Sequence, residues 1–100
     1  MATMQAVRLH SYGGPEVLVL ENVSRPRIGE GEVLVRVYAA GVNPLDWKVR
    51  AGHVKGWLPH RLPLIPGWDV SGVVEETAPD VTRFQEGDAV YGLLDFRRDG

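Results

Sequence analysis

One hundred residues, 44% of them apolar and 24% charged, suit a single domain with enough chain to bury a core of its own. A formal net charge of −2 argues against nucleic acid as a partner, and the lack of cysteine removes disulfides, a thiol nucleophile and Cys-type zinc sites. No segment approaches the roughly 18 apolar residues of a membrane span, and residues 1–5 carry no basic stretch followed by a long apolar run. No membrane association is therefore expected, and the expected location is cytoplasmic.

Residues 4–9 alternate around Arg8 as a short first strand. The turn-rich stretch Ser11-Tyr12-Gly13-Gly14-Pro15 breaks it before an apolar run over 17–22. Tyr12 either walls a pocket for a flat substrate or covers one end of the sheet. Gly29-Glu30-Gly31 lacks the preceding strand and following helix that a phosphate-cradling glycine motif requires, so it reads as a turn into a strand over 32–38. Val33, Val35 and Val37 would share one face of that strand, with Arg36 and Tyr38 on the other.

The one helix of the chain should open at Asn43. Its amide suits an N-cap, Pro44 suits the first helical position, Asp46 complements the positive end of the dipole, and Gly52 can terminate the helix in a left-handed conformation. Leu45 and Val49 define the buried side, and Asp46 and Arg50 are spaced to pair outside. Lys48 lies at the edge of the buried side, where its ammonium either snorkels to solvent or reaches into a cleft. Residues 53–62 read as an irregular loop anchored by Trp57 and Leu58. His10, His53 and His60 form no metal-binding pair and read as surface or loop residues.

The stretch PLIPGWDVSGVV over 63–74 organises the rest. Pro63 and Pro66 bring in an extended segment, Gly67 permits a sharp turn, and a strand starts near Asp69 and runs to about Thr77. Gly72, with no Cβ, admits a close approach by another backbone or by a flat ligand. Ala78-Pro79-Asp80 turns the chain, Val81 and Phe84 should fold inward, and Glu86-Gly87-Asp88 leads into a last strand over 89–94. The sum is a β-rich domain with one short helix and a curled or barrel-like sheet.

Together with GVNPLDWKVRAG over 41–52 and RFQEGDAVYG over 83–92, this stretch resembles the amino-terminal catalytic domain of medium-chain dehydrogenases/reductases, most nearly their zinc-free quinone and enone oxidoreductase branch. The resemblance implies a GroES-like, partly open barrel that is incomplete at its C-terminal end, with residues 1–100 forming the amino-terminal portion of the catalytic domain. The Rossmann domain that binds the cofactor, and the contact of a possible homodimer, would lie in a part of the protein outside this chain.

Zinc-dependent members place a cysteine after the Gly-Val of the helix motif and a His-Glu pair after the glycine of the organising stretch. The corresponding residues here are Asn43, Trp68 and Asp69. An amide ligates zinc poorly and an indole not at all, so no zinc is expected. The resemblance then implies hydride transfer from NADPH to a quinone or an α,β-unsaturated carbonyl. It places Asn43 beside the nicotinamide and Lys48 near the cofactor or the substrate oxygen, as the catalytic and cofactor-binding pair. Trp68 and Asp69 would fill and polarise the space of the absent metal, with Tyr12 and Trp57 as further pocket walls. The competing expectation is a free-standing GroES-like binding or assembly module without chemistry.

Overall fold

The bare Cα of Gly72 explains how the larger sheet of this computed structural model, which describes residues 2–100, is put together. A Cβ at Gly72 would stand 2.0 Å from the carbonyl oxygen of Arg36, so the close approach is by a neighbouring backbone. Met1, the first residue of the stretch read for a leader, lies outside the described residues. Strand β3 (Val33–Ala39) supplies that backbone, and Gly72 belongs to β4 (Asp69–Thr77). With β5 (Ala89–Leu93) they form an antiparallel three-stranded sheet in the order β3-β4-β5. The register aligns Val37 with Gly72 and Val90, and Ala39 with Ser71 and Tyr91.

The expected alternation along β3 is only half realised. Register shifts fall between Leu34 and Val35, where the extra residue is Glu75 on β4, and between Val37 and Ala39, where it is Tyr38 on β3. Val33 and Val35 are half-buried, whereas Val37 is 55% exposed. Glycines set the turns as expected. Gly31 (φ +74°) precedes β3 and Gly87 (φ +93°) precedes β5. The latter turn is closed by hydrogen bonds from Gly87 N to Val74 O and from Val74 N to Asp88 O, both 2.9 Å. Phe84, expected to fold inward, is exposed, and Val81 is half-buried.

The second sheet is the hairpin of β1 (Thr3–Leu9) and β2 (Leu18–Ser24), paired from Thr3 opposite Ser24 to Leu9 opposite Leu18. A 3-10 turn at Pro15–Val17 reverses the chain between them. Glu75 ties the two sheets together by accepting from Arg25 at the end of β2 and, at 3.2 Å, from Arg36 on β3. Leu9 at the end of β1 also exchanges two hydrogen bonds of 2.9 Å with Leu64. Among the described residues the strands form no closed barrel: the fold is mainly β, in two sheets, with one short helix.

Helix α1 (Pro44–Arg50) carries a complete capping box, in which the Asn43 side chain accepts from Leu45 N at 3.4 Å and Asp46 Oδ2 accepts from Asn43 N at 3.0 Å. The expected Asp46–Arg50 pair therefore does not form. Asp46 serves the helix start, and Arg50 Nε donates to Gly13 O at 3.2 Å, pulling the loop before β2 onto the helix. Gly52 ends the helix with φ +84°. Val49 turns inward to meet Leu9, Val54, Leu64 and Trp68, and these five form the core. Each such side chain contributes roughly 1.5–3 kcal/mol by leaving water.

Residues 95–100 fold back over the organising stretch. Ile65 N donates to Asp99 Oδ1 at 2.9 Å, Gly100 N to Ile65 O at 2.8 Å, and Trp68 Nε1 to Arg98 O at 2.8 Å. Phe96 meets the Trp68 ring edge-on at 5.9 Å.

Candidate functional site

Where β3 ends and β4 begins, the chain leaves an open cleft of about 500 Å³ lined by Ala39, Ala40, Gly41, Asp69, Ser71 and Tyr91, among others. Its walls are mostly backbone and small or apolar side chains because three strand ends meet there at Ala39, Ser71 and Tyr91, which are aligned across the sheet. Ser71 Oγ donates to Ala39 O at 3.0 Å and fixes one wall. A Cβ on Gly41 would stand 2.7 Å from Asp69 Oδ2, so the glycine is what lets the carboxylate sit against this turn. The other oxygen, Asp69 Oδ1, is buried and has no hydrogen-bond partner among the described residues. A carboxylate oxygen withdrawn from water without a donor is costly, so this end of the cleft favours a group that can donate to it.

Of the six residues expected at a site, Asp69 is the one that lines this cleft. Asn43 caps the adjoining helix. Its Oδ1 is engaged by Leu45 N, and its amide NH₂ donates to no protein group among the described residues. Lys48 is exposed with its Nζ 5.9 Å from the Trp47 ring centroid, and it forms no ion pair with Asp69. Tyr12 is half-buried against the core, with Gly52 at its back and Lys55 Nζ 5.7 Å from its ring. Trp57 is 72% exposed on the loop after the helix.

Trp68 goes the other way from its neighbour Asp69. It is fully buried in the core, between the ring of His60 at 5.6 Å and that of Phe96, with its N–H spent on Arg98 O. Its alternation with Asp69 on a strand start is the physical reason, since successive side chains point to opposite faces. His60 lies in the loop, as expected, but is half-buried there. Its Nε2 donates to Phe96 O at 2.5 Å, and its Nδ1 is buried without a partner among the described residues.

Ala39, Ser71 and Tyr91 line the cleft but are not among the residues expected at a site. For Ser71 the signal was present, because it stands two residues after Asp69 on the same face of the strand. Tyr91 reaches the cleft only through the pairing of β4 with β5, which no local pattern reports.

Several surface carboxylates away from the cleft are held below their ordinary range. Glu32 is lowered by the N–H of Gly29 and then by Arg98, and Glu21 by hydrogen bonds from Arg8 and His10. Asp95 is pulled down to about 2 by the bidentate grip of Arg97. As for metals, the described residues hold no cluster of three or more His, Cys, Asp or Glu side chains. The donor set at Asn43, Trp68 and Asp69 does not fit zinc, because the Trp68 N–H points to Arg98 O and the Asn43 oxygen is taken by the helix. The free NH₂ of Asn43 does fit the carboxamide oxygen of a nicotinamide.

Comparison with known proteins adds the following. The family described as the alcohol dehydrogenase GroES-like domain matches residues 29–97. The quinone-oxidoreductase QR1 of Triphysaria versicolor, a chloroplastic protein, is 41% identical over 92 residues, which is 91% of this chain and 28% of that protein. The NADPH-dependent alkenal/one oxidoreductase of Arabidopsis thaliana, also chloroplastic, is 45% identical over 89 residues, covering 88% of this chain and 23% of that protein. Among solved structures, the quinone oxidoreductase from Coxiella burnetii superposes with a TM-score of 0.87 at 32% identity, over 98% of this chain and 32% of that one. The chain thus spans from 23% to 32% of the length of these relatives.

Proposed function

We propose, because the chain belongs to the alcohol dehydrogenase GroES-like domain family, that it forms the substrate-side lobe of an NADPH-dependent oxidoreductase reducing quinones or α,β-unsaturated carbonyls without zinc. The observation that carries the reading is the open cleft beside the capped helix, with the bare carboxylate oxygen of Asp69 in its wall, while the undirected amide NH₂ of Asn43 sits at the start of that helix. Relatives bearing the names quinone oxidoreductase and alkenal/one oxidoreductase support the substrate class, and the name of the latter supports NADPH.

NADPH supplies the hydride when bound. On this reading the dinucleotide is held by a Rossmann domain elsewhere in the protein, which also carries any homodimer contact, and the protein works in the cytoplasm. The chain's own residues then act as follows. Asn43 donates from Nδ2 to the nicotinamide carboxamide, which orients the ring, while its Oδ1 and backbone N–H stay committed to the helix start. Lys48 brings a positive charge toward the acceptor oxygen, where negative charge develops as hydride arrives. Asp69 polarises the end of the cleft and Trp68 backs it from the core. Water delivers the proton.

The test is NADPH consumption by the native protein with a naphthoquinone and with an enal. Asn43→Ala should lower turnover about tenfold or more. Absence of turnover with both acceptors would reject the reading in favour of a binding module without chemistry.

A further inference from the structure

One side of the cleft is aromatic and the other is bare. Ala39, Ser71 and Tyr91 lie in one row across β3, β4 and β5, so two small side chains stand beside one large ring. Side chains on a sheet stand roughly perpendicular to it, and neighbouring strands are about 4.8 Å apart. The ring of Tyr91 therefore borders a slot over Ser71 that is open toward Ala39 and Gly41. Leu93, two residues further along β5 and opposite Asp69, extends the same wall.

Tyr91 is 90% exposed, and its side chain makes no hydrogen bond, ion pair or ring contact among the described residues. The faces of its ring are thus available to a ligand in the cleft. An electron-poor quinone ring is complementary to the negative face of a phenol ring, whereas an open-chain alkenal offers no such surface. The charge of the lining selects further. Ser71 Oγ is committed to Ala39 O, and Asp69 is the one charged residue among the described residues that line the cleft. A carboxylate with no cation beside it repels an anionic ligand and admits a neutral one.

Building on the reductase reading, we propose that Tyr91 determines acceptor specificity, favouring flat, uncharged cyclic quinones over open-chain alkenals, with Asp69 excluding quinones that carry an anionic group. Tyr91 stacks on the quinone ring and takes no part in hydride or proton transfer.

The test is steady-state NADPH oxidation by the native protein with 1,4-naphthoquinone, its 2-sulfonate and trans-2-hexenal as acceptors. Tyr91→Leu should raise KM for naphthoquinone about tenfold relative to that for hexenal, the size of one stacking contact. Tyr91→Phe should keep the parent ratio. Asp69→Asn should lower KM for the sulfonate about fivefold relative to the neutral quinone, as removal of one like charge requires. A Tyr91→Leu ratio equal to the parent's would overturn the proposal. A Phe variant as impaired as the Leu variant would also overturn it, because the contact would then belong to the hydroxyl and not to the ring. A sulfonate ratio unmoved in Asp69→Asn would overturn the part given to Asp69. Calorimetric titration with 1,4-naphthoquinone reads binding without turnover. Binding weakened in Tyr91→Leu and kept in Tyr91→Phe, in a protein that reduces neither acceptor, would uphold the stacking and reject the reductase reading. Equal binding by both variants would reject the specificity whatever the turnover.

Discussion

The indole N–H of Trp68 donates to the carbonyl oxygen of Arg98 at 2.8 Å, so the largest side chain of the core is satisfied by the last turn of the chain. Trp68→Phe keeps most of the apolar volume but leaves the Arg98 carbonyl without its donor. It should cost about 1–3 kcal/mol, and Trp68→Ala about 3–5 kcal/mol, measured as shifts in the denaturant midpoint. A Phe variant as stable as the parent would mean that the tail contributes nothing to the core.

Asn43 carries two separable duties. Asn43→Asp retains an oxygen acceptor for Leu45 N and should keep the helix, with stability within about 0.5 kcal/mol, whereas Asn43→Ala loses the cap at about 1 kcal/mol. Both variants lack the NH₂ group. Turnover lost equally in both, alongside stability lost in one, would assign the NH₂ to cofactor positioning. Turnover that follows stability would leave only the cap.

Gly72 and Gly41 are expected to respond differently to alanine. At Gly72 the new methyl meets backbone, the carbonyl of Arg36, and β3 must separate from β4, at about 1–3 kcal/mol by thermal or chemical unfolding. At Gly41 it meets the end of a side chain, Asp69 Oδ2, which can swing away. Gly41→Ala should thus alter acceptor KM more than it alters the melting temperature, and the reverse order would remove Asp69 from the site.

Acid should first loosen the ion-paired surface. The folded-state pKa of Glu21 is depressed below its ordinary 4.5 by the hydrogen bonds from Arg8 and His10, and that of Glu32 by Gly29 N–H and Arg98. A depressed carboxylate adds stability that is fully present above its unfolded pKa and is lost as pH falls through the folded value. Stability should therefore decline below about pH 4.5, and further between 3.8 and about 2 as Asp95 protonates. Unfolding midpoints across this range should show a shallower acid slope in Glu21→Gln than in the parent.

What the sequence made legible is local chemistry. Asn43, Pro44 and Gly52 bracket a helix because caps act over three or four residues, and Gly87 marks a turn because its positive φ is a property of one residue. The extent of β4 was readable for the same reason, from its own β-branched run. What stayed hidden depends on partners far along the chain. Asp46 had two oppositely placed claims on its carboxylate, and the nearer N–H at Asn43 prevailed over Arg50 because it costs less side-chain freedom to reach. The burial of Trp68 and His60 arises from residues 96–100 folding back, and the cleft arises from three strand ends meeting, neither of which leaves a periodic trace. The register shifts between β3 and β4, at Glu75 and at Tyr38, likewise leave no trace in the alternation of either strand.

The opposite fates of the tryptophans furnish an optical gauge. Trp68 is sealed from water, while Trp47 and Trp57 are open to it. A quencher dissolved in the solvent should therefore extinguish the emission of two indoles and spare a blue-shifted third. As residues 95–100 detach from the organising stretch, that protected fraction disappears before the sheets themselves come apart, so one spectrum separates local opening of this segment from unfolding of the domain.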